Sequence, residues 1–197
     1  MGIEENLIEE FLQNPFYSPS FQTMLITSVL ELDGVLYADE LIKQSQEATS
    51  IPAAMFYIET VIMALWYHNL KGPIKEVIPD TLFPVYKTED NALIAFSPGD
   101  YVSWTETQGK FITKASDKIS NIDAEKKEVW ILGDYSERVR KEIGALGISI
   151  TTNASDIIAS TPLPENIKER EQAKEVNSEM FRNLYKEDKE EGSEVKD

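Results

Sequence analysis

The chain has 197 residues, 42% of them hydrophobic, and its 35 acidic against 19 basic residues leave a net charge of −16. That apolar content excludes wholesale disorder, and the length suffices to bury a core without disulfides or a structural metal. Cysteine is absent, which excludes disulfides, thiolate catalysis and cysteine-ligated zinc or iron–sulfur sites.

Residues 4–13 read as a short helix with Leu7, Ile8, Phe11 and Leu12 on one face, ended by Asn14-Pro15. Ser18-Pro19 opens a second helix as N-cap and first helical position, apolar at Phe21, Met24, Leu25, Val29 and Leu32. Asp33-Gly34 breaks it, and another helical stretch is expected over 38–48. Ser50-Ile51-Pro52 repeats the cap-and-proline signal ahead of the most hydrophobic helix, 52–70, which stops before Gly72-Pro73. Its polar residues Glu59, Thr60, His68 and Asn69 are scattered around the wheel, so it is expected to be central, with Met55, Ile58, Ile62, Leu65 and Trp66 all inaccessible. Its apolar runs are too short for a membrane span, and Glu59 falls in the middle.

The texture changes at Pro79-Asp80. Two strands are expected at 82–87 and 92–96, joined by Thr88-Glu89-Asp90-Asn91. Ser97-Pro98-Gly99-Asp100 reads as the opening of a helix carrying Tyr101, Val102 and Trp104, with a second helical piece over 111–119 and a polar connection over 121–127. A strand at 128–132, the turn Gly133-Asp134-Tyr135, a helix capped by Ser136 and closed by Gly144 and Gly147, and a strand at 148–151 form one β–α–β run, which implies parallel strands. Thr161-Pro162-Leu163-Pro164 is a linker to a charged helix whose stripe includes Val176, Met180 and Leu184, and the composition beyond Tyr185 is that of a disordered end.

The expected class is therefore α+β: an N-terminal helical bundle over 1–78, a small four-stranded mixed α/β unit over 79–160, and a charged C-terminal helix with its tail over 161–197. Residues 165–197 carry 11 acidic and 7 basic residues, a net of −4, so −12 of the total −16 belongs to 1–164. A body this acidic repels phosphate backbones and anionic membrane surfaces, so no nucleic acid is expected, and the short apolar runs of 52–70 speak against an integral membrane segment. Solubility is the plain reading of the charge; attraction to a basic partner or to cations is the functional one. The opening Met1-Gly2-Ile3-Glu4-Glu5 lacks the basic and apolar regions of a signal peptide, and Asn6 replaces the Ser or Thr of a myristoylation signal, leaving cytoplasm and export both open.

Candidate site residues are few. His68 is the one histidine, and no serine sits in a nucleophile-elbow setting, so no catalytic residue is assigned and an enzyme is not the favoured reading. Glu59 is a carboxylate in an apolar helix, which either pairs, reaches the rim or contacts a ligand. Aligning Gly34 with the glycine of a calcium-binding loop puts Glu40 at position twelve but Val29 at position one, so a plain corner is expected there and no metal. Gly133 and Ser136, with Arg138 close by, stand at a strand-to-helix turn where N–H groups can hold an anion, without the glycine pattern or lysine of a nucleotide fingerprint; no cofactor is expected. Val176, Met180 and Leu184 offer a stripe to a partner. The favoured function is a non-catalytic interaction or accessory protein that binds a protein partner, or a second copy of itself, through apolar helical surface. The alternative is a small-molecule or anion-binding α/β domain using 133–136.

Overall fold

A computed structural model describes residues 5–160, and the stripe Val176, Met180 and Leu184 lies outside them. Helices α1 (Glu5–Leu12), α2 (Pro19–Leu30), α3 (Glu40–Ser45) and α4 (Ile51–Leu70) precede the first strand. Ser18 and Ser50 cap α2 and α4 by accepting from Phe21 N–H and Ala53 N–H, each followed by proline in the first turn. Asn14 does more than end α1: its side-chain amide donates to the carbonyls of Gln46 and Ala48, and the Tyr17 hydroxyl donates to Ser45 at 2.9 Å. The α1–α2 corner is thereby tied to the end of α3. The expected helix over 38–48 is shorter, Glu40–Ser45, with turns on either side of it.

The sheet has five strands in the order β1-β2-β3-β5-β7. These are β1 (Ile74–Val77), β2 (Val85–Thr88), β3 (Ala92–Ser97), β5 (Lys126–Ile131) and β7 (Ser149–Thr151). β1–β2 and β2–β3 are antiparallel, while β3–β5 and β5–β7 are parallel. A separate two-stranded parallel pair joins β4 (Tyr101–Val102) to β6 (Asp134–Tyr135). Helices α5 (Glu106–Ile119) and α6 (Glu137–Ala145) cross between the parallel strands, and α7 (Ala154–Ser160) follows β7.

Helices mixed with a sheet, and the parallel β5–α6–β7 unit, agree with the sequence reading; several details do not. The sheet has five strands where four were expected: Ile-Lys-Glu-Val at 74–77, hard against Gly72-Pro73, forms a strand by pairing with β2 on one side and bridging to Leu36 on the other. There Leu36 N–H donates to the Lys75 carbonyl and Val77 N–H to the Leu36 carbonyl, both at 2.9 Å. The strand expected at 82–87 begins only at Val85, after Pro84. The helix expected to open at Ser97-Pro98-Gly99-Asp100 is instead strand β4, since Tyr101 and Val102 pair with Asp134 and Tyr135. The true start of α5 is Thr105, which forms a capping box with Gln108; the expected 111–119 piece is the later part of α5. The polar connection expected up to 127 ends at Lys126, where β5 begins.

Alternation along the strands sends successive side chains to opposite faces. Tyr86, Ala92, Ile94, Phe96 and Trp130 join one core with residues of α1–α4, including Phe11, Leu25, Ile42 and Ile58. Val85 and Leu93 point the other way and meet Ile119 of α5. Against the first face α4 is held by aromatic edges: Tyr67 lies 5.3 Å from Trp130 and 5.8 Å from Phe96, ring centre to ring centre, and Trp66 lies 6.1 Å from Trp130. Of the five α4 side chains expected to be inaccessible, Ile58 is fully buried and Met55, Leu65 and Trp66 are half-buried, but Ile62 is 40% exposed. The helix is apolar nearly all round, yet the sheet and its neighbouring helices cover only part of its circumference.

Candidate functional site

The structure does not gather the sequence-derived candidates. Glu59 and His68 are nine residues apart on α4, so about 14 Å separates them along the axis, on opposite sides of the helix. Glu59 is half-buried and forms no hydrogen bond or ion pair among the described residues. His68 is engaged in folding: Ile74 N–H donates to its Nδ1 at 3.1 Å, which fastens the end of α4 to the first residue of β1. Burial holds the imidazole below its ordinary value, with Asp33 pulling it the other way.

At the 133–136 turn, the N–H groups already have partners. Leu132 donates to Ser97, Gly133 to Gly99, Asp134 to Asp100 and Ser136 to Val102. Tyr135 N–H donates to the Asp134 carboxylate, and the Ser136 hydroxyl caps α6 by accepting from Val139 N–H. Gly133 is required by this pairing, since a Cβ there would lie 1.9 Å from the Asp100 carbonyl oxygen. Arg138 is exposed and faces Glu142 at 3.8 Å, one helical turn on. The turn is thus joined to 97–102 through its own backbone.

A different feature stands out on the outside of α1–α4. Among the described residues, seven of the eight large apolar side chains that remain exposed lie from Leu12 to Ile62, and Tyr101 is the eighth. On α4 the exposed set is Ile51 and Ile62, at 59% and 40%, with half-buried Met55 and Glu59 between them. Steps of four, four and three residues place Ile51, Met55, Glu59 and Ile62 on one stripe. On α2 the exposed pair is Met24 and Leu30. Residues 1–70 carry ten carboxylates and a single Lys or Arg, Lys43. That lysine is spent on Glu40 at 2.9 Å. The surface therefore offers apolar anchors and negative charge together, with no free cation of its own among the described residues.

Sequence periodicity missed Ile51 and Ile62 as surface residues, because a wheel apolar on every side has no obvious outward face. Glu59 is the signal that was available: it sits on the stripe that faces water, so the apolar residues one turn to either side of it share that exposure. Comparison of the chain with protein-family models, with curated proteins and with solved structures gives no match.

Proposed function

We propose that this chain is a non-catalytic interaction protein whose α1–α4 surface receives a cationic, amphipathic segment of a protein partner. The observation that carries this reading is the coincidence, within residues 1–70 that hold these four helices and their connections, of seven exposed large apolar side chains with ten carboxylates against one paired lysine. Exposed apolar side chains supply the anchors of a helix-in-groove contact, and complementary charge supplies encounter rate and selectivity. Nucleic acid fits poorly. A groove-reading helix presents Arg, Lys, Asn or Gln to bases and phosphates, whereas α4 has neither Lys nor Arg, and its outward stripe offers Ile51, Glu59 and Ile62.

The test is fluorescence anisotropy with a labelled synthetic helix of alternating leucine and lysine faces, titrated with the full chain. We expect saturable binding that weakens with salt and falls at least tenfold in Ile62→Asp, although that change adds negative charge. Glu59→Lys should weaken binding as well, while Asp156→Lys on α7, the same charge change elsewhere, should leave it within twofold. Equal binding by all four proteins would sink the proposal, as would a stable homodimer by sedimentation that Ile62→Asp dissociates.

A further inference from the structure

Independently of that outer surface, we infer that the cleft between the sheet and α5 is a binding site for a small, uncharged, apolar molecule of about one or two fused rings. The cleft has a volume of about 200 Å³. Its walls are Leu93, Ala95, Val129 and Ile131 of the sheet, facing Ile112 and Ala115 of α5. The space has an identifiable cause: alanine stands on both facing walls, at 95 and 115, where interior packing ordinarily sets a large side chain against a small one. An apolar cavity of about 150 Å³ stays dry and takes up benzene, so a site of this size and lining suits a molecule in that range.

One end of the cleft is a built wall. Trp104 lies on α5 where that helix carries its only glycine, and a Cβ at Gly109 would come within 2.9 Å of the indole ring. Glycine inside a helix costs about 1 kcal/mol relative to alanine, and here it seats the tryptophan. Two ionic residues, Lys127 and Glu128, belong to the lining, and both are turned to other tasks. The Lys127 ammonium donates to the Ile119 carbonyl at 3.3 Å, and the Glu128 carboxylate accepts from Trp130 Nε1–H at 3.1 Å. What remains polar at the lining is neutral, namely Ser97, Ser103, Gln108 and Ser116. A charged ligand would lose its hydration there and find both ionic lining residues already engaged, against walls that are otherwise apolar, which favours an uncharged one.

Indole is the probe, followed by methyl-resolved NMR and thermal unfolding of the full chain. We expect one saturable site with shifts centred on Ile112, Val129 and Ile131, and a raised Tm at saturation. Indole-3-acetate, the anionic analogue, should bind at least tenfold more weakly. Ala95→Leu and Ala115→Leu should each fill the space, leave Tm unchanged or higher, and weaken indole binding at least tenfold. The inference is overturned if indole does not saturate, if its shifts fall outside the cleft, if the anion binds as well as indole, or if binding survives both fillings. It is also overturned if both fillings lower Tm, because there would then be no space to fill.

Discussion

Thr88, at the end of β2, is almost fully buried at 1% exposure and organises the turn into β3. Its hydroxyl donates to the Asp90 carboxylate and accepts from Ala92 N–H at 3.0 Å. Replacing it by valine keeps the shape and removes both bonds. The Ala92 N–H is buried and would be left without its acceptor, which costs about 1–3 kcal/mol. The bond to Asp90 contributes less, because that carboxylate is 65% exposed and solvent screens it; a surface value of under about 1 kcal/mol applies. Thr88→Val should therefore lose about 1–4 kcal/mol, read as a lower midpoint at unchanged slope in urea unfolding. Thr88→Ser, which keeps both bonds, should lose under about 1.5 kcal/mol, as for removal of one buried methyl. Asp90 supplies a second readout. Its carboxyl is held below the usual range first by the Thr88 hydroxyl and, to a lesser degree, by Lys126, so its pKa should rise in the valine variant. A valine variant within 0.5 kcal/mol of the parent, or a serine variant as damaged as valine, would refute this reasoning.

The two isoleucines of α4 should separate cleanly: Ile58→Ala should cost about 2–5 kcal/mol and Ile62→Ala under about 1 kcal/mol, measured by urea unfolding, because one is 1% exposed and the other 40%. Equal losses would mean that the outer side of α4 is covered. His68 gives a pH signature with a defined sign. Its folded pKa is lowered from the unfolded value near 6.5, so the unfolded chain binds more protons between the two. The stability His68 contributes is then complete above about pH 6.5 and is lost as pH falls through the folded value. With one histidine in the chain, the imidazole resonances report that titration without overlap, and a midpoint at or above 6.5 would contradict the burial.

Much of the architecture was legible because its signals are local. Ser18-Pro19 and Ser50-Ile51-Pro52 fix helix starts by hydrogen-bond chemistry confined to one turn, and both caps form. Ser136 likewise starts α6. What was missed depends on partners distant in sequence. The strand at 74–77 exists through Leu36 on one side and β2 on the other, and the strand at 101–102 through 134–135. Four residues such as Ile-Lys-Glu-Val hold too little periodicity to declare themselves. The capping box at Thr105 and Gln108 was a local signal, overlooked in favour of the proline at 98. Glu59 and His68 drew notice for residue type alone, and type says nothing about company. The exposed stripe on α4 and the paired alanines across the cleft are relations between surfaces, which one-dimensional spacing does not encode.

The Leu36 bridge also bears on how the folded chain keeps to itself. An outermost strand normally presents a row of unmet N–H and C=O groups on which another chain can add a strand. On β1 the Lys75 carbonyl and Val77 N–H are already occupied by Leu36, and Lys75 itself projects a charge into solvent. The opposite border is β7, only three residues long. Sheet growth from copy to copy thus meets an occupied border at one end and a very short template at the other. Among the described residues, strand addition through the backbone is thus disfavoured at both borders of this sheet, which leaves side-chain shape and charge as the features by which its exposed apolar helices could tell one neighbour from another.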